Sequence, residues 1–324
     1  MKIARWTGPE GLSEGFVIDH DGQLEVVKFP EQMTVAEVLT GGLPLAQELF
    51  ATINTSTGTP LEEVTLQVPL VPASIRDFVA FEEHVEGVSG AVDGKNEVVP
   101  EWYEAPTFYF TNPHTVRATE QSVAIPQTQR LDFELELATI IGGVSGSTGE
   151  NLDVATAQQH IFGYTVMNDW SARDLQAREM RVKLGPCKGK DFGMTLGPWI
   201  VTADELAQYV DPDGSLAIRA EAYVNGTLIG EDLVSNMGWN FAELVAYAAR
   251  NSVVVPGDVL GSGTVGNGGC LGELWGRGSD IAPLEPGDQV RLVIEGVGEI
   301  TNTVGERVPA PQLPPARKRE RLRR

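Results

Sequence analysis

The chain is poor in cysteine, histidine and positive charge, and each shortage narrows the chemistry open to it. Two cysteines, Cys187 and Cys270, occur in 324 residues, too few for a disulfide framework or a thiolate metal site. Four histidines are present: His20, His84, His114 and His160. Lysine and arginine number 24 against 45 acids, a net charge of −21. The last eight residues, RKRERLRR, hold six bases and one acid, which leaves −26 on the rest. So acidic a body repels phosphate backbones and anionic lipid, which argues against nucleic-acid and membrane partners. No apolar run approaches the ~18 residues of a membrane span, and MKIARWTGPEG lacks the apolar segment of a secretory leader. A soluble cytoplasmic protein is expected. The basic end follows the proline-rich PAPQLPP (309–315) and has little to bury, so residues 309–324 read as a disordered tail.

What is present is an ordinary globular composition, 42% hydrophobic and 21% charged, with room for a sizeable core. Residues 1–70 read as a small α/β unit. GFVIDHDGQLEVVKF is two strands about Asp21-Gly22, and TVAEVLTGG with LPLAQELFATI has helical spacing broken at Gly-Gly. LQVPLVPAS (66–74) is a connector. Beyond it, short β runs predominate. TAQQHIFGYTVMNDW begins as a helix and becomes an apolar strand, and AIRAEAYVNGTLIGED is a hairpin about Asn225-Gly226. FAELVAYAARNSVVV reads as a helix running into a strand. Pro256-Gly257-Asp258 and Pro286-Gly287-Asp288 are matching turns of one sheet system, each leading into a strand. EGVSGAVDGKNEVVPEW (86–102) reads as a mobile loop, placed after His84 where a lid would sit.

Four acids in three separated segments carry the chemical signal: Asp77, the pair Glu134 and Glu136, and Asp169. In LDFELELATII (131–141) Leu131, Phe133, Leu135 and Leu137 alternate with Asp132, Glu134 and Glu136. A strand puts the two glutamates on one face, roughly 7 Å apart. A half-exposed strand with a wet acidic face gives the same pattern. Inward carboxylates with no matching bases nearby, by contrast, need a cation.

Other residues could serve beside them. Read as helix, NDWSARDLQ places Asp169, Arg173 and Gln176 at i, i+4 and i+7, the spacing also of a solvated helix flank. The apolar run before it sets Asp169 at a strand end. His84 follows Asp77 by seven residues in the helical-looking RDFVAFEEH, and its neutral-range titration suits a general base, although a lone histidine serves equally as a structural residue. CKGKDFGMTLGPWIV holds Lys188 and Lys190 without phosphate-loop spacing, so no nucleotide is indicated. GSGTVGNGGCLGELW suits a backbone passing close to a ligand. Glu273 there is a carboxylate in apolar company, which needs a raised pKa or a partner.

In this order along the chain, RDFVAFEEH, LDFELELA, IFGYTVMNDWSARDLQ, LGPCKGKDFGMTLGPW and SGTVGNGGCLGELW resemble the fumarylacetoacetate hydrolase family over roughly residues 74–306. The resemblance implies a predominantly β catalytic domain at residues 71–308, a mixed β-sandwich roll with peripheral helices, behind a small α/β N-terminal domain. It implies a homodimer and a divalent ion held by Asp77, Glu134, Glu136 and Asp169. All-oxygen ligation suits Mg²⁺, with Mn²⁺ or Ca²⁺ open. His84 and Glu273 match the family's water-activating pair. Arg173, Gln176 and Lys190 match its oxyanion-stabilising positions, and Tyr109 and Thr264 those that hold substrate carboxylates. Arg181 stands where animal enzymes carry a substrate-binding tyrosine, and Met194 where they carry a threonine. A loop arginine has no clear counterpart, Lys95 being only nearby. The implied activity is hydrolysis of a carbon–carbon bond in a 1,3-diketo acid, fumarylacetoacetate- or acylpyruvate-like, as in aromatic catabolism. The alternative is a decarboxylase, hydratase or tautomerase of a small 2-oxo acid such as oxaloacetate or 2-oxohept-3-enedioate.

Overall fold

The computed structural model describes residues 1–53, 58–93 and 97–319, with side chains described throughout except at 89–93. The N-terminal region folds as β1 (Lys2–Gly8), β2 (Gly11–His20), β3 (Gln23–Lys28), α1 (Val35–Thr52), β4 (Thr59–Pro60) and β5 (Thr65–Gln67). Asp21 and Gly22, both at positive φ, make the β2–β3 turn. Thr34 and Glu37 cap α1 reciprocally, and Gly42 at φ 74 breaks it where the Gly-Gly pair foretold.

The remainder begins with β6 (Ile75–Phe78), α2 (Glu82–Asp93), β7 (Phe108–Thr111), β8 (Val116–Arg117) and β9 (Ser122–Pro126). Next come β10 (Leu131–Asp132), β11 (Leu135–Ile141), α3 (Val154–Gln159), β12 (Ile161–Asp169), β13 (Ser171–Ala172) and α4 (Arg173–Met180). Then follow β14 (Met194–Thr202), β15 (Arg219–Val224), β16 (Thr227–Leu233) and α5 (Phe241–Ala249). The chain closes with β17 (Val259–Gly261), α6 (Leu271–Gly276), β18 (Gln289–Ile294) and β19 (Gly298–Val308). The fold is predominantly β with mixed sheets and peripheral helices, as expected.

One large sheet runs β4-β3-β2-β1-β14-β12-β11-β17-β6-β7, with β5 beside β1 and β8 beside β14. A second runs β16-β15-β18-β19-β9, and β10 pairs with β13 alone. The N-terminal strands join the large sheet directly, through Lys2↔Val201 and Ile3↔Ile200. Its centre is covered on both faces. Leu135 and Leu137 of β11 enter one apolar cluster, which includes α5. Ala138 and Ile140 enter another, shared with α1. A strand so placed has no wet side, and every residue of β11 is buried.

Four expectations are corrected. Residues 86–93 continue α2 and are not loop, while 94–96, with Lys95, lie outside the described residues. Residues 250–255 form no strand, only an isolated bridge from Val253 to Glu150. The two Pro-Gly-Asp turns serve different sheets, since β17 lies in the large one and β18 in the smaller. LDFELELATII is two strands, interrupted at Phe133 and Glu134. Residues 309–319 carry no regular structure and are exposed, and 320–324 lie outside the described residues. Among the described residues no helix is long and apolar enough to cross a membrane.

On β6, Arg76 is buried and donates to Asp258 at 3.0 Å and to the Val253 carbonyl at 3.1 Å. Asp258 also accepts from Ser74 at 2.7 Å and from the Val255 amide at 3.0 Å. This pair fixes the loop before β17 against β6. Asp258→Ala strands a buried guanidinium and is expected to cost about 3–5 kcal/mol, read as a lowered midpoint in urea unfolding.

Candidate active site

Asp77, Glu134, Glu136 and Asp169 converge, offering ligand oxygens that all lie within 4.8 Å of one another. Each is delivered by a paired backbone. Asp77 on β6 is held between Gly261 of β17 and Tyr109 of β7. Glu136 lies on β11 opposite Met167. Asp169 ends β12 opposite Met194. Glu134 sits in the break before β11, its amide donating to the Asn168 side chain at 3.1 Å. These ladders override the helical spacing. Asp77 and His84 do not share a helix, because Asp77 is on a strand and α2 starts at Glu82. Nor does Asp169 share one with Arg173 and Gln176, because α4 starts at Arg173.

The four acids are buried, none more than 4% exposed. Lys190, also buried, pairs with Asp169 at 2.7 Å and with Glu134. Arg173 pairs with Glu134 at 2.8 Å and with Asp132 at 2.7 Å. The Tyr109 hydroxyl donates to Asp169. Burial pushes Asp77 up, and pushes Glu136 and Asp169 well up, with like-charged neighbours adding to it. Burial opposes ionisation of Glu134 too, but Lys190 and then Arg173 outweigh it and hold that carboxyl low.

The residues fit a divalent ion. Asp77 Oδ1, Glu136 Oε1 and Asp169 Oδ1 are buried without a hydrogen-bond partner. The four ring carboxylates and Asp132 stand against Lys190 and Arg173, an excess of negative charge that a hard dication offsets through oxygen alone. Space for it depends on Gly261. A Cβ there would lie 2.2 Å from Met167 Cε and 2.7 Å from both Asp77 Oδ1 and Glu136 Oε2. Sequence reasoning passed over this residue, whose only signal was its place at the head of the glycine-rich run.

The ring opens into a cleft of about 440 Å³ lined also by His84, Tyr109, Arg173, Gln176, Lys190 and Thr264. Gln176 accepts from Arg173 Nη1 at 3.1 Å. His84 is buried, and burial lowers its pKa to about 4. Its Nδ1 lies 3.7 Å from Cys270 Sγ. Glu273, on α6, packs against Gly87 of α2, three residues on from His84. Its Oε1 pairs with Arg277 at 2.7 Å and its Oε2 has no hydrogen-bond partner. No direct His84–Glu273 hydrogen bond occurs among the described residues. Arg181 lies at the exposed end of α4 and is not part of the cleft wall.

A buried carboxylate ring opening on a cleft fits the class of enzymes that hold a divalent ion through oxygen ligands. Residues 73–305 match the family model described as fumarylacetoacetate (FAA) hydrolase C-terminal, and the chain belongs to the fumarylacetoacetate hydrolase family. It is 31% identical to the fumarylacetoacetase of Arabidopsis thaliana over 78% of its own length and 73% of that protein's. Against the fumarylacetoacetase of Bos taurus it is 28% identical over 72% and 65%. The chain thus spans between about two thirds and three quarters of these relatives. Among solved structures, a fumarylacetoacetate hydrolase from psychrophilic Exiguobacterium antarcticum superposes with TM-score 0.71 at 25% identity, covering 95% of this chain and 100% of that one. A maleylpyruvate hydrolase from Sphingobium sp. SYK-6, in complex with manganese(II) and pyruvate, gives 0.67 at 20%, covering 95% and 100%. A 5-carboxymethyl-2-hydroxymuconate delta-isomerase from Mycobacterium smegmatis gives 0.68 at 23%, covering 95% and 100%. The last two likenesses concern the fold alone.

Two outcomes are expected. Glu136→Gln or Asp169→Asn removes a carboxylate from the ring and abolishes tight Mg²⁺ or Mn²⁺ binding, read by titration calorimetry. Glu273 provides the second, because burial, opposed by Arg277, lifts its carboxyl from 4.5 to about 7. Between those values the folded protein keeps a proton the unfolded chain has released, so stability falls as pH rises through that window. Glu273→Gln removes a component of that fall on the order of 2–3 kcal/mol, measured as urea midpoints at several pH values.

Proposed function

We propose that the protein is a metal-dependent hydrolase that cleaves a carbon–carbon bond in a 1,3-diketo acid, with Mg²⁺ or Mn²⁺ as its ion. The observation that carries this reading is the placement of a neutral, buried histidine on the same cleft as the four-carboxylate ring, the buried Lys190 and the half-buried Arg173. When bound, a divalent ion supplies Lewis-acid polarisation of the substrate's oxygens. His84, with its pKa near 4, is unprotonated at neutral pH and takes a proton from water at its cleft-facing nitrogen. The hydroxide adds to the carbonyl farther from the acid. Arg173, Lys190 and Gln176 line that space as donors to the oxyanion, each worth a few kcal/mol when well placed. Collapse breaks the carbon–carbon bond, and the imidazolium returns its proton to the enolate carbon, leaving a carboxylic acid and an oxo acid, a 2-oxo acid where the substrate is an acylpyruvate. Glu273, through its unpartnered oxygen, serves to orient the charged imidazole. Tyr109 and Thr264 face the substrate's own carboxylate.

The rest of the cleft wall specifies the acyl group. Val79, Val85, Val88, Met180 and Pro186 line it, while Arg173 and Lys190 stand at the ring, on the side of the oxyanion. Among the described residues no other lysine or arginine lines the cleft. Such a wall favours an apolar acyl tail over a second carboxylate, so the substrate is closer to an acylpyruvate than to fumarylacetoacetate. Each methylene buried is worth roughly 0.8 kcal/mol, or about fourfold in kcat/KM.

The missing His84–Glu273 hydrogen bond favours one second reading, a decarboxylase or tautomerase of a 2-oxo acid, which needs the ring but no water nucleophile. Turnover in oxygen-labelled water separates the two, because only hydrolysis puts label into a carboxylate. His84→Ala is expected to lower kcat by about 10²–10⁴ with metal affinity nearly intact. Wild-type turnover in that variant would end the general-base assignment. Across a panel of acylpyruvates with lengthening alkyl tails kcat/KM should rise, and fumarylacetoacetate should be the poorer substrate.

A further inference from the structure

Asp132 has no face on the cleft and no part in the ring, yet it is fully buried and saturated with donors. It accepts from the amides of Phe133 at 2.8 Å, Leu271 at 2.7 Å and Gly272 at 2.8 Å. Its Oδ2 also takes Arg173 Nε at 2.8 Å, with Nη2 at 2.7 Å. Arg173 is thereby fixed on one edge, which leaves Nη1 toward Gln176 at 3.1 Å and Nη2 toward Glu134 at 2.8 Å. The same carboxylate anchors the first turn of α6, the helix that carries Glu273. Leu131 and Asp132 are held in turn by β13, immediately before Arg173.

Gly272 supplies an independent observation. A Cβ at that position would lie 3.0 Å from Asp132 Oδ2 and 3.2 Å from both Arg173 Nε and Nη2. The backbone of α6 therefore leaves just enough room for the ion pair, and a single methyl would wedge into it without altering any charge.

We propose that Asp132 is a positioning residue. Together with the small Gly272, it locks the Arg173 guanidinium into the orientation that turns Nη1 and Nη2 toward Gln176 and Glu134 on the cleft wall, and it ties that orientation to the placement of α6. The hydrogen bond from Nε and the ion pair from Nη2, both on Asp132 Oδ2, hold one side of the guanidinium, and the Gly272 backbone beside them leaves it little room to turn. This inference rests on the proposed role of Arg173 as an oxyanion donor, so its test reads binding separately from turnover.

The experiment compares Asp132→Asn, Gly272→Ala, Arg173→Ala and the Asp132→Asn/Arg173→Ala double variant on the metal-loaded protein. Oxalate, a small dianion whose oxygens probe the donors lining the cleft, is titrated calorimetrically beside kinetics on an acylpyruvate. Arg173→Ala should weaken oxalate and lower kcat. Asp132→Asn and Gly272→Ala should each reproduce that loss at about 10–100-fold, with Mg²⁺ affinity changed less than about threefold. The double variant should be no worse than Arg173→Ala alone. Additive losses in the double variant would show Asp132 to be only a structural pin and would overturn the proposal. So would wild-type oxalate affinity in Gly272→Ala, which carries the test by itself if Asp132→Asn fails to fold. If the wild-type protein cleaves no diketo acid while the oxalate pattern holds, the hydrolase reading falls and the positioning role stands.

Discussion

The structure turns on an excess of buried negative charge. Asp77, Glu134, Glu136 and Asp169 occupy a space in which four isolated carboxylates could not all ionise. Lys190 and Arg173, the latter shared with Asp132, offset part of that charge, and the three ring oxygens left without hydrogen bonds mark where the rest must be met. Everything around the ring serves to keep it dry and aligned. The central strands are covered by apolar clusters on both faces, and each acid is set by a β ladder or by the break between β10 and β11.

That environment explains the division of labour in the cleft. Near Glu134 the two cations keep a carboxylate charged despite burial. At His84 burial dominates and keeps the imidazole neutral. At Glu273 burial exceeds the influence of Arg277, which places its titration close to neutrality. Three ionisable groups in one region thus take three different states because the balance between burial and neighbouring charge differs at each. Such separation is what acid–base chemistry at neutral pH requires.

Local signals were legible in the sequence where local physics decides the outcome. The turns at Asp21-Gly22 and Asn225-Gly226 formed as read, since positive φ at those residues is a matter of a few atoms. The inward acids were legible because their apolar neighbours alternate or run continuously. Less was visible where distant strands decide. RDFVAFEEH has helical spacing, but pairing of Asp77 with both Gly261 and Tyr109 holds its first half extended. The first part of the loop expected after His84, residues 86–93, is helix, and Gly87 and Gly90 lie within α2 without breaking it. Asp132 looked like a third member of the acidic strand face. The break at Phe133 turns it away from the ring and toward α6, whose position no local pattern records.

Gly261 carries an evolutionary consequence. Acquisition of one carbon at this position would crowd the space between Asp77 and Glu136 while leaving every acid, base and histidine in place. A paralogue silenced in that way would retain the full complement of reactive side chains, and a census of such side chains would count it as a working enzyme. In this architecture, competence is recorded as much by the residue that has no side chain as by those that do.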